Sequence, residues 1–385
     1  MLSKKTLKEL LEAAAGYPGG FIILEDNRPK FAILDYEHYK RLAAGKAKEY
    51  MNQSPTATIL ITGGAGYIGS HAGKLLVERG FEVTTLDNLS KGRKEFAQGR
   101  FIEGDLADAQ FLDGLFAQNK FDAVMHFAAS IEVEESVKNP ELYYANNVVA
   151  GLNLLNAMAK HGVSNLIFSS TCAVYAESAP VPLSENSAFG PISPYAKTKY
   201  IFEQILGDYA AAYGVKSVAL RYFNAAGASF DQTLGFFNPH PSHLIPRVLD
   251  VAAGKNESLT VFGGDYKTHD GTAIRDYIHV SDLAEAHFLA LNYLLENKSS
   301  SPLTEAFNVG SGRGYSVLEI INAVCEQTGH MVRFEMGPRR AGDREKLVSD
   351  NTKIAQVLGF KPKYSDLKTI IDTSWAWRKK WFGNN

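Results

Sequence analysis

At 385 residues, 45% hydrophobic and 21% charged, the chain has room for about two to three domains and carries enough apolar side chains for a large core. A net charge of −2 gives no general attraction to nucleic acid or to an anionic membrane. Two cysteines, Cys172 and Cys325, argue against a disulfide framework and suit a reducing compartment.

The first ten residues interleave charge with leucine and lack the apolar run of a signal peptide. No stretch approaches the ~20 apolar residues of a membrane span, so a cytoplasmic location is expected. Leu7, Leu10, Leu11 and Ala14 follow helical spacing. The runs Phe21–Leu24 and Phe31–Leu34 read as a hairpin, and a second helix is expected from Asp35 to about Met51. This helix–hairpin–helix module, residues 1–51, resembles the prevent-host-death type antitoxins; a short packing extension is the alternative. Residues 52–57, polar and with a proline, read as a linker.

From Thr58 onward, apolar strands alternate with helical patterns: Thr58–Ile61, Glu82–Leu86, Phe121–Phe127, Asn165–Phe168 and Lys216–Leu220. Near-continuous apolar strands between helices predict a doubly wound parallel α/β sheet of Rossmann type over residues 58–228. Residues 229–385, less regular and opening on a His/Pro-rich stretch, are expected to form mainly a smaller substrate-binding lobe, with some segments returning to the sheet.

The first of these strands runs into Thr62-Gly-Gly-Ala-Gly-Tyr-Ile-Gly69 and then into a helix. Gly63, Gly66 and Gly69 suit a tight turn, close approach of backbone to pyrophosphate, and helix–strand contact. Asp87 ends the second strand, 18 residues past Gly69. An acid there binds adenine ribose and repels a 2′-phosphate, favouring NAD over NADP. Lys91, Arg93 and Lys94 weigh the other way. Asp105 is a candidate adenine contact or a turn aspartate.

Tyr195 and Lys199, four apart, place a phenol and an ammonium on one helical face. Tyr36/Lys40 and Tyr364/Lys368 share that spacing by chance. What distinguishes Tyr195 is the glycine loop upstream and a strand ending in Ser169-Ser170-Thr171. Hydroxyl, phenol and cation together can orient a substrate, exchange its proton and keep the phenol usable as a base.

At these residues the chain resembles the extended short-chain dehydrogenase/reductase superfamily and, within it, the UDP-hexose 4-epimerases. The resemblance covers roughly residues 58–378. It rests on the glycine loop, Leu86-Asp-Asn88, His126-Phe-Ala-Ala129, Tyr143-Tyr-Ala-Asn-Asn147, Phe168-Ser-Ser-Thr171 and Ser193-Pro-Tyr-Ala-Lys-Thr-Lys199. Further strings are Arg221-Tyr-Phe-Asn224, Arg275-Asp-Tyr-Ile-His279, Phe307-Asn-Val-Gly-Ser311 and Pro338-Arg-Arg340 with Gly342-Asp343. It implies bound NAD held by Gly63, Gly66, Tyr67, Ile68, Gly69, Asp87, Asn88, Asp105, Leu106, Phe127, Ala128, Ala129, Asn146, Tyr195, Lys199 and Tyr222. It implies catalysis by Thr171, Tyr195 and Lys199, and no metal. The UDP-sugar falls to Thr171, Tyr195, Asn224, His243, Arg275, Arg340, Asp343 and Leu347. The implied reaction interconverts UDP-glucose and UDP-galactose through a 4-keto sugar, in a homodimer.

Related dehydratases carry an Asp-Glu pair after this threonine; Cys172 and Ala173 stand there instead. Two departures stand out. Many epimerases have a lysine shortly after the Phe-Ala-Ala string, where this chain has Ile131 amid Glu132, Glu134 and Glu135. At the gate of the pocket, Leu347 replaces a bulky tyrosine and leaves room for an N-acetylated sugar. Alternatives are a pentose or uronate nucleotide as substrate, or a non-catalytic NAD-sensing protein.

Overall fold

The computed structural model describes residues 57–383, apart from 240, 298, 300, 341 and 342, together with residues 21–25 and 28–33. The chain divides into two compact units, Met1–Thr56 and Ala57–Asn385. In the first, β1 (Phe21–Glu25) pairs antiparallel with β2 (Arg28–Ile33), with a register shift between Ile23 and Leu24. The second strand starts at Arg28, three residues before its apolar run. The two flanking helices, the antitoxin-like reading that rests on them and most of the expected linker lie outside the described residues.

The second unit is built on seven parallel strands: β3 (Thr58–Thr62), β4 (Glu82–Asp87), β5 (Arg100–Glu103), β6 (Ala123–His126), β7 (Asn165–Thr171), β8 (Lys216–Tyr222) and, late in the chain, Thr304–Val309. Their order across the sheet is β5-β4-β3-β6-β7-β8 and then the late strand. The order reverses between β3 and β6, and ligands bind at the carboxyl ends beside such a switch point. The five expected strands are present. The two outer ones, Arg100-Phe-Ile-Glu103 and Thr304-Glu-Ala-Phe-Asn-Val309, mix polar with apolar residues and were not among the clear strands; the second is a segment of residues 229–385 that returns to the sheet.

Both faces of the sheet are buried, which is why its central strands are apolar without alternation. Ile59, Ile61, Met125, Ile167 and Val218 face one side, packed by α1 (Tyr67–Glu78) and the long helix Val280–Glu296 through Leu76, Leu283, Ala290 and Leu294. Leu60, Val124, Leu166 and Phe168 face the other. They meet α2 (Ala109–Gln118) and two more helices, Ala150–Lys160 and Pro194–Tyr213, through Leu112, Leu154, Met158, Phe202 and Leu206.

Apart from Thr304–Val309, the strands beyond β8 lie outside this sheet. Asn224–Ala226 pairs with Ile274–His279, which also pairs with Gly314–Ser316 and with Lys346–Leu347. A separate core forms around Ile245, Val248, Leu259, Val261, Ile320, Val324, Ile370 and Ile371. Among the described residues no helix is long and apolar enough to cross a membrane.

Candidate active site

The glycine loop is shaped by contacts that no side chain could share. Gly63 has φ +71°, and a Cβ there would lie 2.5 Å from the Ala128 amide nitrogen. A Cβ at Gly69 would lie 2.5 Å from the Gly63 carbonyl oxygen. The loop is thereby pressed against the start of the Phe127-Ala-Ala129 segment, whose Phe127 and Ala128 amides both donate to the Thr62 carbonyl, at 2.9 and 3.1 Å. Gly66 caps α1, which has no side-chain cap and no acidic residue in its first turn. That leaves the positive end of the helix for an anionic group. Tyr67 and Ile68 open the helix, and the Tyr67 hydroxyl donates to the Gly227 carbonyl at 2.7 Å.

Asp87 is buried at the end of β4, and burial raises its carboxyl above the ordinary range. It accepts from the Ala65 and Leu89 amides at 3.0 and 2.8 Å, so it also holds the glycine loop in place. Asn88 donates to Asp105 at 2.9 Å. Asp105 in turn accepts from the Ala107 amide, while Leu106 is buried in the sheet's core. The turn role read for Asp105 is therefore present. Arg93 is drawn to Glu95 and lies 4.1 Å from the Phe237 ring, which occupies one of the cations that weighed toward a 2′-phosphate.

The 127–147 segment is cross-braced. Asn146 donates to Ser130 at 3.0 Å, and Asn147 exchanges two bonds with the Ser130 backbone while reaching the Thr198 hydroxyl at 3.1 Å. Both asparagines sit in a π-turn, Ala145–Val149, a distortion frequent at functional sites. Sequence reasoning singled out Asn146 and missed Asn147, the more buried of the two.

Thr171 ends β7, and Tyr195 stands in the first turn of the helix Pro194–Tyr213, capped by Ser193. Burial pushes the Tyr195 phenol up to about 12, and a hydrogen bond with Thr171 works the other way. The Lys199 ammonium, buried and brought down to about 7 by desolvation, donates to the Ser169 carbonyl at 2.7 Å. In this arrangement its charge is turned to the strand end and not to the phenol. Tyr222 bonds Ser169 through its hydroxyl, and burial raises its pKa as well.

From the second half of the chain, Arg275 forms an ion pair with Asp343 and donates to the Ile274 carbonyl at 2.8 Å. Its charge reaches Cys172, whose thiol burial nevertheless pushes to about 12. Leu347 packs on Cys172, Val174, Tyr175 and Phe223, and so borders the same strand end. Asn224 donates to the Asp276 carbonyl at 3.0 Å. His243 lies 5.0 Å from the Phe236 ring and beside Ser242, which donates to Glu132 at 2.9 Å. Arg340 is exposed and set over Phe262 at 4.0 Å, apart from the Arg275–Asp343 pair. Arg344, missed in the sequence, bonds the Tyr175 carbonyl and also acts on Cys172. Its signal was its place directly after Asp343.

A glycine-cradled helix start at a switch point, with hydroxyl, phenol and ammonium gathered at a neighbouring strand end, defines a dinucleotide-dependent enzyme of the short-chain dehydrogenase/reductase kind. The model of the NAD dependent epimerase/dehydratase family matches residues 59–310. A UDP-glucose 4-epimerase of Lacticaseibacillus casei is 45% identical over 324 residues, 84% of this chain and 97% of that protein. The UDP-glucose 4-epimerase of Brucella ovis, solved in complex with NAD, is 46% identical with a TM-score of 0.80, covering 83% of this chain and 98% of its own. The UDP-Glc/GlcNAc 4-epimerase of Campylobacter jejuni is 45% identical with a TM-score of 0.73, covering 84% and 99%. The chain belongs to the NAD dependent epimerase/dehydratase family, and NAD is its cofactor. The cradle at Gly63 and Gly69 and the open helix end fit that cofactor's pyrophosphate.

Proposed function

We propose that the chain interconverts UDP-glucose and UDP-galactose by removing and returning hydride at the sugar 4-position. The observation that carries this is the Tyr195 phenol, whose ionisation Thr171 favours, beside a strand end followed by Cys172 and Ala173. A thiol pushed to about 12 and a methyl group supply no acid for eliminating water, so the proton chemistry there stays with the phenol. The relatives named UDP-glucose 4-epimerase span nearly the whole second unit, which supports the same reading.

When bound, NAD would accept hydride from the sugar C4 and give it back on the other face. Gly63, Gly66 and Gly69 would hold the pyrophosphate, Asp87 the adenine ribose, and Lys199 the nicotinamide ribose. Thr171 would orient the 4-hydroxyl, and Tyr195 Oη would take its proton and later return it. Arg275, its guanidinium fork suited to phosphate oxygens, and Arg340 would take the diphosphate. Asn224, His243 and Asp343 would complete the nucleotide and sugar contacts.

Leu347 leaves space at the sugar end, so the substrate range would extend to UDP-N-acetylhexosamines. The test is incubation of the purified protein with UDP-galactose or UDP-N-acetylgalactosamine without added NAD, followed by chromatography. Both are converted, and Leu347→Tyr lowers kcat/KM for the acetylated sugar by about tenfold or more, the scale of a steric pocket change. Absence of UDP-glucose even after adding NAD would sink the function; an unchanged ratio in the variant would sink the role of Leu347.

A homodimer would form through the helices Pro140–Tyr144, Ala150–Lys160 and Pro194–Tyr213. Leu142, Tyr144, Val149, Ile201 and Tyr213, on or beside these helices, are exposed large apolar side chains. Light scattering is expected to return twice the 42.2 kDa chain mass; a monomer would refute it.

A further inference from the structure

Three residues in the strings quoted above have no part in the chemistry so far: Ser170, Arg221 and Asn308. They share one buried network centred on Glu203. Glu203 lies one helical turn beyond Lys199, on the same face of Pro194–Tyr213. Its carboxylate accepts from the Ser170 hydroxyl, next to Thr171 on β7. It also accepts from Arg221 on β8, with Nε at 3.0 and 3.2 Å from the two oxygens and Nη2 at 2.5 Å. Both side chains of this pair are 6% exposed. Arg221 Nη1 donates to the Tyr175 hydroxyl at 3.0 Å, which donates to Asn308 at 2.6 Å, and the guanidinium lies 4.8 Å from the Phe189 ring.

We propose that Glu203 and Arg221 are positioning residues for this reaction: Glu203 favours the charged form of Lys199 and ties the Thr171 strand end to the Tyr195 helix, while Arg221 holds the Glu203 carboxylate in place. The proposal rests on the reading of Tyr195 and Lys199 given above.

The groups around Lys199 leave the task to Glu203. On β7 the ammonium meets the Ser169 carbonyl and the Phe168 ring, 4.8 Å away. From β6 it faces His126, which burial and Lys199 itself hold at about 3, hence neutral. Tyr195 on its own helix and Tyr222 on β8 are phenols with raised pKa values, uncharged at neutral pH. Glu203 is the group that acts on Lys199 in favour of its charge, against the desolvation that brings it down. Glu203 can do so because two donors satisfy it in a site too dry for an unpaired carboxylate. A buried ion pair is by itself a weak source of stability, so a network joining both halves of the proton-handling unit is better explained by what it positions.

The test compares wild type with Glu203→Gln, which keeps shape and loses charge, and with Glu203→Gln/Arg221→Met, which removes the pair without leaving Arg221 unpaired. UDP-galactose conversion is followed across pH, and Lys199 is titrated in NAD-stripped protein through the pH dependence of the melting temperature, against Lys199→Met. In both variants the alkaline limb of kcat is expected to move down, by about one pH unit in the single variant, the size an opposite charge at close range supplies. The Lys199 titration moves down with it, and KM stays within about twofold. A purely structural pair would lower kcat equally at every pH and leave both titrations in place, which would overturn the proposal. If the single variant does not fold, the double variant decides. Loss of all conversion in wild type would instead refute the function, and the Lys199 titration would still report on the pair.

Discussion

Changing Tyr195 to Phe is expected to lower kcat about 10³-fold while leaving the melting temperature and the NAD content of the purified protein unchanged. The ring, which packs at the start of its helix, is kept; one oxygen is removed. That oxygen is the atom whose ionisation Thr171 favours, and a positioned acid–base group contributes roughly 10²–10⁴-fold. No neighbour can replace it. The Cys172 thiol stays protonated to about pH 12, and His126 at about 3 is a weak base, held through Nδ1 at 2.7 Å from the Thr62 hydroxyl. The pH dependence supplies a second check. A phenol pushed up by burial has to lose its proton before it can serve as base, so wild-type kcat rises with pH on its acid side. The residual rate of Tyr195→Phe is expected to be flat over the same range. Chromatographic initial rates would decide it, and a variant retaining a tenth of the activity would mean that another group carries the proton.

How far this site could be read from the sequence follows from what local spacing encodes. The glycine loop, Asp87, Thr171, Tyr195 and Lys199 stand at fixed distances from strand ends, so finding the strands located them. Leu60 and Ile61 face opposite sides of the sheet, and their both being apolar reports two covered faces. The outer strand Thr304–Val309 was not legible because it opens on Thr304 and Glu305, and Asn308, buried one residue before its end, bonds to Tyr175 and the Leu183 carbonyl between Phe307 and Val309. Partner choice was equally hidden. Arg275 and Asp343 are 68 residues apart and pair, whereas Arg340, three residues from Asp343, turns to Phe262. Neither outcome has a local signature: the first depends on how Ile274–His279 pairs with Lys346–Leu347, the second on how Leu259–Phe262 pairs with Phe334–Gly337. The same holds for Lys199. Its spacing from Tyr195 is plain in the sequence, but its bond to the Ser169 carbonyl depends on the register between helix and sheet.

That bond sets up the other large effect. Replacing Lys199 by Met is expected to cost at least about 10²-fold in kcat, yet to stabilise the NAD-stripped protein. The catalytic loss follows from removing the cation that, in the proposed mechanism, would hold the nicotinamide ribose and favour phenolate. The stability gain follows from burial. Desolvation brings Lys199 to about 7, whereas in the unfolded chain its pKa is about 10.4. Between those values the unfolded chain binds more protons than the folded one, so wild-type stability rises with pH through that window. Below about pH 7 the folded protein carries the full penalty of a buried ammonium, and methionine, of similar length and apolar, removes it. The melting temperature of Lys199→Met should therefore exceed wild type by several degrees at pH 6, with the gap closing toward pH 10. A gap that did not change with pH would assign the effect to packing. A variant less stable than wild type at pH 6 would show that the Ser169 carbonyl and Glu203 compensate the charge fully. A residue that weakens the fold where it is charged and is needed there for turnover is a stability–activity trade-off placed on one side chain.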